Sequence, residues 1–325
     1  MSTRAILLLA TLAGAAGACG SSLPQASLVD SVRILATSAD APYAKPGETV
    51  TLKALAVDGR ADRSQAMQVF WLPTVCMNPQ GDDYFSCYPS FAKRFRPGVD
   101  LSSALIPGDQ LIFTMPADAI GSAPTRPGAP DPYGIAFAFV VACAGHVEYI
   151  PVDTSTQSPT TTPFGCFDDR HALLGPDQFV FAFTRVYAFA DQRNANPVID
   201  HLAFGGAPVD PVAGITLGHC TASDESSCPM ADVDTVVPDS SWEVDPGSFD
   251  PSGGPAHEGI WVDYYATAGR FSNDSAVLFD AHSGRVASTA DGYAAPLSSG
   301  PRTLWAVVRD TRGGTSWVEI ALNVR

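Results

Sequence analysis

Basic residues are scarce in this 325-residue chain: 19 Lys and Arg stand against 34 Asp and Glu, a formal net charge of −15. The few cations are spread thinly and form no stripe, so a nucleic-acid partner held through phosphate contacts is excluded. Acidity of this size keeps a chain soluble and repels polyanions, and it names no partner. After the first twenty residues no apolar run approaches the eighteen that a membrane-spanning helix requires. Motifs of several enzyme classes are missing too. There is no G-x-S-x-G elbow, no G-x-G-x-x-G turn, no phosphate-binding P-loop and no H-E-x-x-H. The six histidines (146, 171, 201, 219, 257 and 282) lack metal-ligand spacing, and His219 beside Cys220 comes nearest. The expectation is a protein without a catalytic centre and without a resident cofactor.

The start of the chain, by contrast, is distinctive. Arg4 is followed by an apolar stretch from Ala5 to Ala18, broken only by Thr11. That is the layout of a signal peptide over residues 1–18, too short to cross a bilayer of about 30 Å as a helix. Ala16-Gly17-Ala18 suits an ordinary signal peptidase. Seven cysteines follow: Cys19, Cys76, Cys87, Cys143, Cys166, Cys220 and Cys228. An odd count in an exported protein leaves one thiol over. With Cys19 set aside, the other six fall into sequence-adjacent couples, Cys76 with Cys87, Cys143 with Cys166 and Cys220 with Cys228. Disulfides are expected there, since none of the couples has zinc-site spacing.

About 307 residues remain after residue 18, enough for two domains. High glycine and proline content, 28 and 27 residues, implies many turns. Residues 19–28 read as a polar tether. Strand signals then begin: alternation over 31–39, a Pro-Gly turn and alternation again at Val50, Leu52, Ala54 and Ala56. Further strands are expected at 67–76 with Trp71, at 109–118, at 133–145 and at 177–190. Six strands around a bulky Trp predict an all-β, Ig-type sandwich over 29–192. Two long connectors, 77–108 and 146–176, each carry one cysteine of a couple. Asn196-Pro197 marks a boundary, and a second β domain is expected over 193–325. Its strands fall at 258–271, 275–285 and 302–325, the last folded back at "DTRGGTS", where Gly313-Gly314 supplies the positive φ of a hairpin turn.

Three features could serve binding. The stretch 221–254 gathers Asp224, Glu225, Asp232, Asp234, Asp239, Asp245 and Asp250, which could converge on calcium or form a solvated linker. The EF-hand order is absent. Tyr84, Phe85, Tyr88 and Phe91 in the first connector, and Trp261, Tyr264 and Tyr265 in a later strand, could stack on sugars or fill a core. Phe179, Phe181 and Phe183 alternate, which assigns them to the core.

Two resemblances extend this reading. "AGAC" at 16–19 resembles a bacterial lipobox, although Ala16 stands where that pattern prefers Leu; the likeness implies lipid on Cys19 and a membrane anchor. "VDYYATAGRF", "AAPLSSG" and "LWAVVRDTRGGTSWVEIALNV" resemble the second half of PKD-like or Ig-like repeats of bacterial surface proteins, and "SVRILATSADAPYAKPGETVTLKALAVD" resembles their opening strands. The layout is similar to bacterial lipoproteins with Ig-like regions behind a lipobox. That implies a cell-envelope location, an outer-membrane anchor and no particular activity. The expected role is binding, spacing or scaffolding, with an envelope protein or a glycan as partner.

Overall fold

The structure is a computed structural model that describes residues 25–95, 101–129, 131–151, 162–249 and 253–325. The signal peptide and Cys19 lie outside the described residues, as does Asp250. The architecture is all-β with a few short helices.

The first half contains β1 (Val32–Ala39), β2 (Tyr43–Ala44), β3 (Thr49–Asp58), β4 (Gln68–Trp71), β5 (Cys76–Met77), β6 (Ile106–Pro107), β7 (Gln110–Thr114), β8 (Gly134–Cys143), β9 (His146–Tyr149), β10 (Phe164–Phe167) and β11 (Phe179–Ala188). One sheet has the order β1-β3-β7, and a larger one runs β2-β11-β8-β4-β6 with β5 also on β8. The expected strand at 67–76 is therefore two pieces on one partner, because Pro73 has no N–H with which to continue the ladder. The two sheets pack face to face through Val50, Leu52 and Leu111 against Trp71, Ala138 and Val140.

Residues of β8 are buried on both faces. Its alanines and Val140 meet the opposite sheet, while Ile135, Phe137, Phe139 and Val141 point into a second core. That second core is roofed by the first connector, which contains 3-10 turns at Gln80–Asp82 and Tyr84–Cys87 and an α-helix at Tyr88–Arg94. Tyr88, Phe91, Phe95 and Leu101 hang from it onto the sheet. The disulfide Cys76–Cys87 pins the roof to the sheet, and Cys143–Cys166 ties the β9–β10 hairpin to the end of β8. Both long connectors thus cover apolar surface that a bare sandwich would expose to water.

The second half contains β12 (His201–Phe204), β13 (Ala207–Pro208), β14 (Ile215–Leu217), β15 (Met230–Val236), β16 (Val244–Phe249), β17 (Pro255–His257), β18 (Ile260–Ala266), β19 (Arg270–Phe271), β20 (Ser275–Asp280), β21 (Gly284–Arg285), β22 (Asp291–Ala294), β23 (Gly300–Asp310) and β24 (Thr315–Val324). Its sheets are β13-β12-β15-β22-β19 and β14-β24-β23-β18-β20-β21. They enclose Leu202, Val233, Phe271 and Tyr293 against Val262, Tyr264, Leu304 and Ile320. The third disulfide, Cys220–Cys228, closes the loop before β15. The acidic stretch is not a linker: β15 runs through it as a central strand of its sheet. At the β23–β24 turn Gly313 takes φ 97°. Gly314 is required for another reason, since a Cβ there would meet the Asp310 carboxylate at 2.0 Å.

The two halves share a junction. Ser27 and Leu28, at the end of the stretch read as a tether, lie along β18: Val29 N–H donates to Ala266 C=O at 2.8 Å, and Ala266 N–H donates to Ser27 C=O at 2.9 Å. Val29, Leu35 and Val57 bury Trp305 and Val307. Asn196 Nδ2 donates to Ala39 C=O at 2.7 Å, while its Oδ1 accepts from Thr315 N–H at 2.9 Å.

Candidate functional site

β1 and β2 run alongside β11 in the same direction and are joined to it at both ends. Val32 N–H donates to Asp177 C=O at 2.8 Å, and Tyr187 N–H donates to Pro42 C=O at 3.1 Å, next to the short parallel β2–β11 pairing. Between these two points the strands part. The resulting groove has a volume of about 440 Å³, within the range of small-ligand sites. One wall is Ile34 to Thr37 of β1, and the other is Ala182 to Arg185 of β11. The β23–β24 hairpin brings Arg309, Gly313 and Thr315 to the third side.

Local sequence explains the opening. β1 carries an irregularity between Ile34 and Ala36 in its register with β3, leaving Leu35 as an extra residue. The bulge frees the Leu35 carbonyl, which accepts from Arg309 Nη2 at 2.6 Å. Arg309 is held in turn by an ion pair with Asp263. Phe183 is 38% exposed at the rim, where the helical roof ends. None of the lining residues is acidic, and two are arginines. With Arg309 already paired to Asp263, Arg185 is the cation the groove offers to a carboxylate of a ligand.

Other polar clusters are structural. Asp82 takes a bidentate bond from Arg126 (2.6 and 2.5 Å) and a third from Tyr133 Oη at 3.0 Å, closing the side of a smaller cavity of about 270 Å³. The guanidinium holds the Asp82 carboxyl below its ordinary value. At the junction, Arg312 is buried beside Glu258 (3.5 Å) and Glu243 (3.3 Å), its guanidinium over the Tyr43 ring at 4.9 Å. Asp310 accepts from the Arg312 and Gly314 N–H groups, both at 2.8 Å. One cation here faces three carboxylates. Burial therefore outweighs the ion pair at Glu258, with Asp310 adding repulsion, and its pKa is pushed up to about 8. Burial raises Asp310 as well.

The residues singled out in sequence are distributed as follows. Cys76, Cys87, Cys143, Cys166, Cys220 and Cys228 form the three disulfides of the sequence-adjacent couples. Tyr264 is fully buried, and its hydroxyl accepts from Thr235 Oγ1 at 3.1 Å, so the sheet face around it offers no sugar platform. Tyr88 and Phe91 are core residues of the roof. Tyr84 is half-buried with the Phe85 and Phe183 rings each 4.0 Å from its own, which leaves no open ring face for stacking. Phe181 packs in the second core as alternation predicts, but Phe183, assigned to the core by the same pattern, sits at the rim. The described acids of 221–254 have separate partners. Asp224 caps a turn at Glu225–Ser227, Asp234 accepts from Thr289, and Asp239 pairs with Arg285. Among the described residues no group of three His, Cys, Asp or Glu could hold a metal ion. The groove escaped sequence reasoning because strands distant in sequence form it; the Pro42 break after β1 was its one local trace.

No protein-family profile matches the chain, and no curated protein sequence matches it. Among solved structures it is similar to dimeric latent PorU from Porphyromonas gingivalis, at 12% identity and a TM-score of 0.23, over 92% of this chain and 24% of that one. The chain thus spans about a quarter of the PorU length. It is also similar to extracellular domains 3–5 of Drosophila OTK, at 11% identity and a TM-score of 0.14, over 94% of this chain and 100% of that one. Neither superposition is close enough to carry over a site or a partner.

Proposed function

We propose that this is an exported, lipid-anchored binding module of the cell envelope that carries out no catalysis. The observation that carries the reading is the cysteine pairing. Three disulfides belong to a chain that folds in an oxidising compartment. They consume six of seven cysteines and leave Cys19, directly after Ala16-Gly17-Ala18, as the residue for acylation. Ser27, where the body begins at β18, follows Cys19 by eight positions. A chain of that length reaches at most about 28 Å, so the anchored body is held close to the membrane surface. The open, arginine-bearing groove favours binding over a pure spacer.

Globomycin, which blocks lipoprotein signal peptidase, tests the anchor. Treated cells are expected to accumulate the precursor that retains residues 1–18, and untreated cells to hold the protein in the outer-membrane fraction. A soluble mature protein unaffected by globomycin overturns the reading.

A further inference from the structure

The edge of β11 that faces the groove is open. Strand parity shows which groups it offers. The bond from Ala144 N–H to Gln178 C=O (2.9 Å) turns the even-numbered residues of β11 toward β8. The bonds at Asp177 and Tyr187 face the other way. Phe179, Phe181, Phe183 and Arg185 therefore direct their N–H and C=O groups away from β8. β2 pairs with β11 only at Tyr187 and Ala188, and among the described residues nothing bonds the outward groups of 179–185. Across the groove β1 behaves similarly. Asp40 N–H donates to Thr51 C=O at 3.0 Å, so alternation turns the backbone of Thr37 away from β3 and into the gap.

An unpaired edge of this length is normally blunted, because it recruits another strand. β1 is blunted by its bulge and by Arg309. β11 is not. Its exposed Arg185 stacks at 5.5 Å on Tyr187 and has no ion-pair partner among the described residues. We propose that the groove binds a short, extended, acidic peptide, which adds as a strand to β11 between Phe181 and Arg185 and places a carboxylate on Arg185. From Phe181 to Arg185 the open stretch measures about 16 Å at roughly 3.3 Å per residue, room for about three to five peptide residues. A peptide fits better than an anionic glycan because the outward donors and acceptors recur every second residue, which is the repeat of a strand. The proposal rests on the binding role above and names its partner class. Location and peptide binding fail separately, since the anchor test reads only the N-terminus.

A displayed library of random linear heptapeptides, selected on the full mature chain, tests it. The enriched peptides are then titrated by fluorescence anisotropy against the wild type and three variants. Phe183→Pro deletes an outward N–H but no bond of the existing ladder, so it is compatible with the strand. Phe183→Ala keeps that N–H and controls for the ring, and Arg185→Glu reverses the charge. Enriched peptides are expected to carry Asp or Glu. Their Kd should rise about tenfold or more in Phe183→Pro and Arg185→Glu, the loss of one hydrogen bond to strand or charge, and change far less in Phe183→Ala. Bound peptide should also slow amide exchange at Phe181 and Phe183 in the wild type. If Phe183→Pro does not fold, Arg185→Glu and the exchange measurement decide. The proposal is overturned if no peptide is enriched, if enriched peptides bind Phe183→Pro and Arg185→Glu like the wild type, or if polygalacturonate binds the wild type and Phe183→Pro equally and displaces the peptide.

Discussion

Single residues decide how the junction responds to pH. Glu258 is about 1% exposed and stays protonated in the fold up to about pH 8, against an ordinary value of 4.5. Between those values the folded state holds a proton that the unfolded chain has lost. Its contribution is therefore complete below about pH 4.5 and disappears as pH rises through 8. Thermal melts from pH 5 to 8 should show stability falling with pH, and Glu258→Gln should flatten that slope while changing the melt at pH 5 little. An equal slope in the variant would assign the effect elsewhere. Arg312→Ala is a harsher change, because it removes the one cation among Glu243, Glu258 and Asp310 and leaves the Val244 and Arg193 carbonyls without their guanidinium donor. A loss of about 3–5 kcal/mol is expected in urea titration. Neither effect was legible in sequence. Arg312 looks there like an ordinary polar turn residue of "DTRGG", and only the docking of that hairpin on Arg193 and Tyr43 buries it.

At the scale of elements, alternation was a sound guide wherever a strand has one face to the core. β1, β3, β7, β18 and β24 lie where their patterns predict. It was incomplete where a strand lies between two cores. β8 and β11 put small residues toward one core and phenylalanines toward another, and a periodicity of two cannot tell which core a side chain enters. The roof over the second core was unreadable for a related reason. "DYFSCYPSF" has no helical stripe long enough to stand out, and its 3-10 turns and helix form because the aromatics find the sheet beneath. The staple Cys76–Cys87 should then matter locally. Replacing both cysteines with serine is expected to cost about 2–3 kcal/mol and to open residues 80–94 to limited proteolysis while β8 and β11 stay protected. Digestion no faster than in the wild type would show that packing alone holds the roof.

For the whole molecule, the relevant fact is how firmly the halves are joined. The sequence suggests a boundary at Asn196-Pro197. It gives no hint that Val29, Leu35 and Val57 bury Trp305, or that Asn196 bridges Ala39 and Thr315. These contacts predict that the halves unfold together in calorimetry. Trp305→Ala should remove about 3–5 kcal/mol and separate the melt into two transitions. Two transitions in the wild type would mean that the junction couples the halves weakly.

The account as a whole turns on Cys19. Under the proposed function the chain is exported, oxidised at the six cysteines of the three disulfides and acylated at Cys19, the seventh. An intact mass of the protein extracted from membranes, taken without reduction and followed by sequencing of its N-terminal peptide, tests that statement directly. The predicted result is a chain beginning at Cys19 with acyl mass on that residue and no other thiol open to alkylation. A chain beginning at Cys19 without acyl mass, or one with a reactive thiol among the other six, would contradict it.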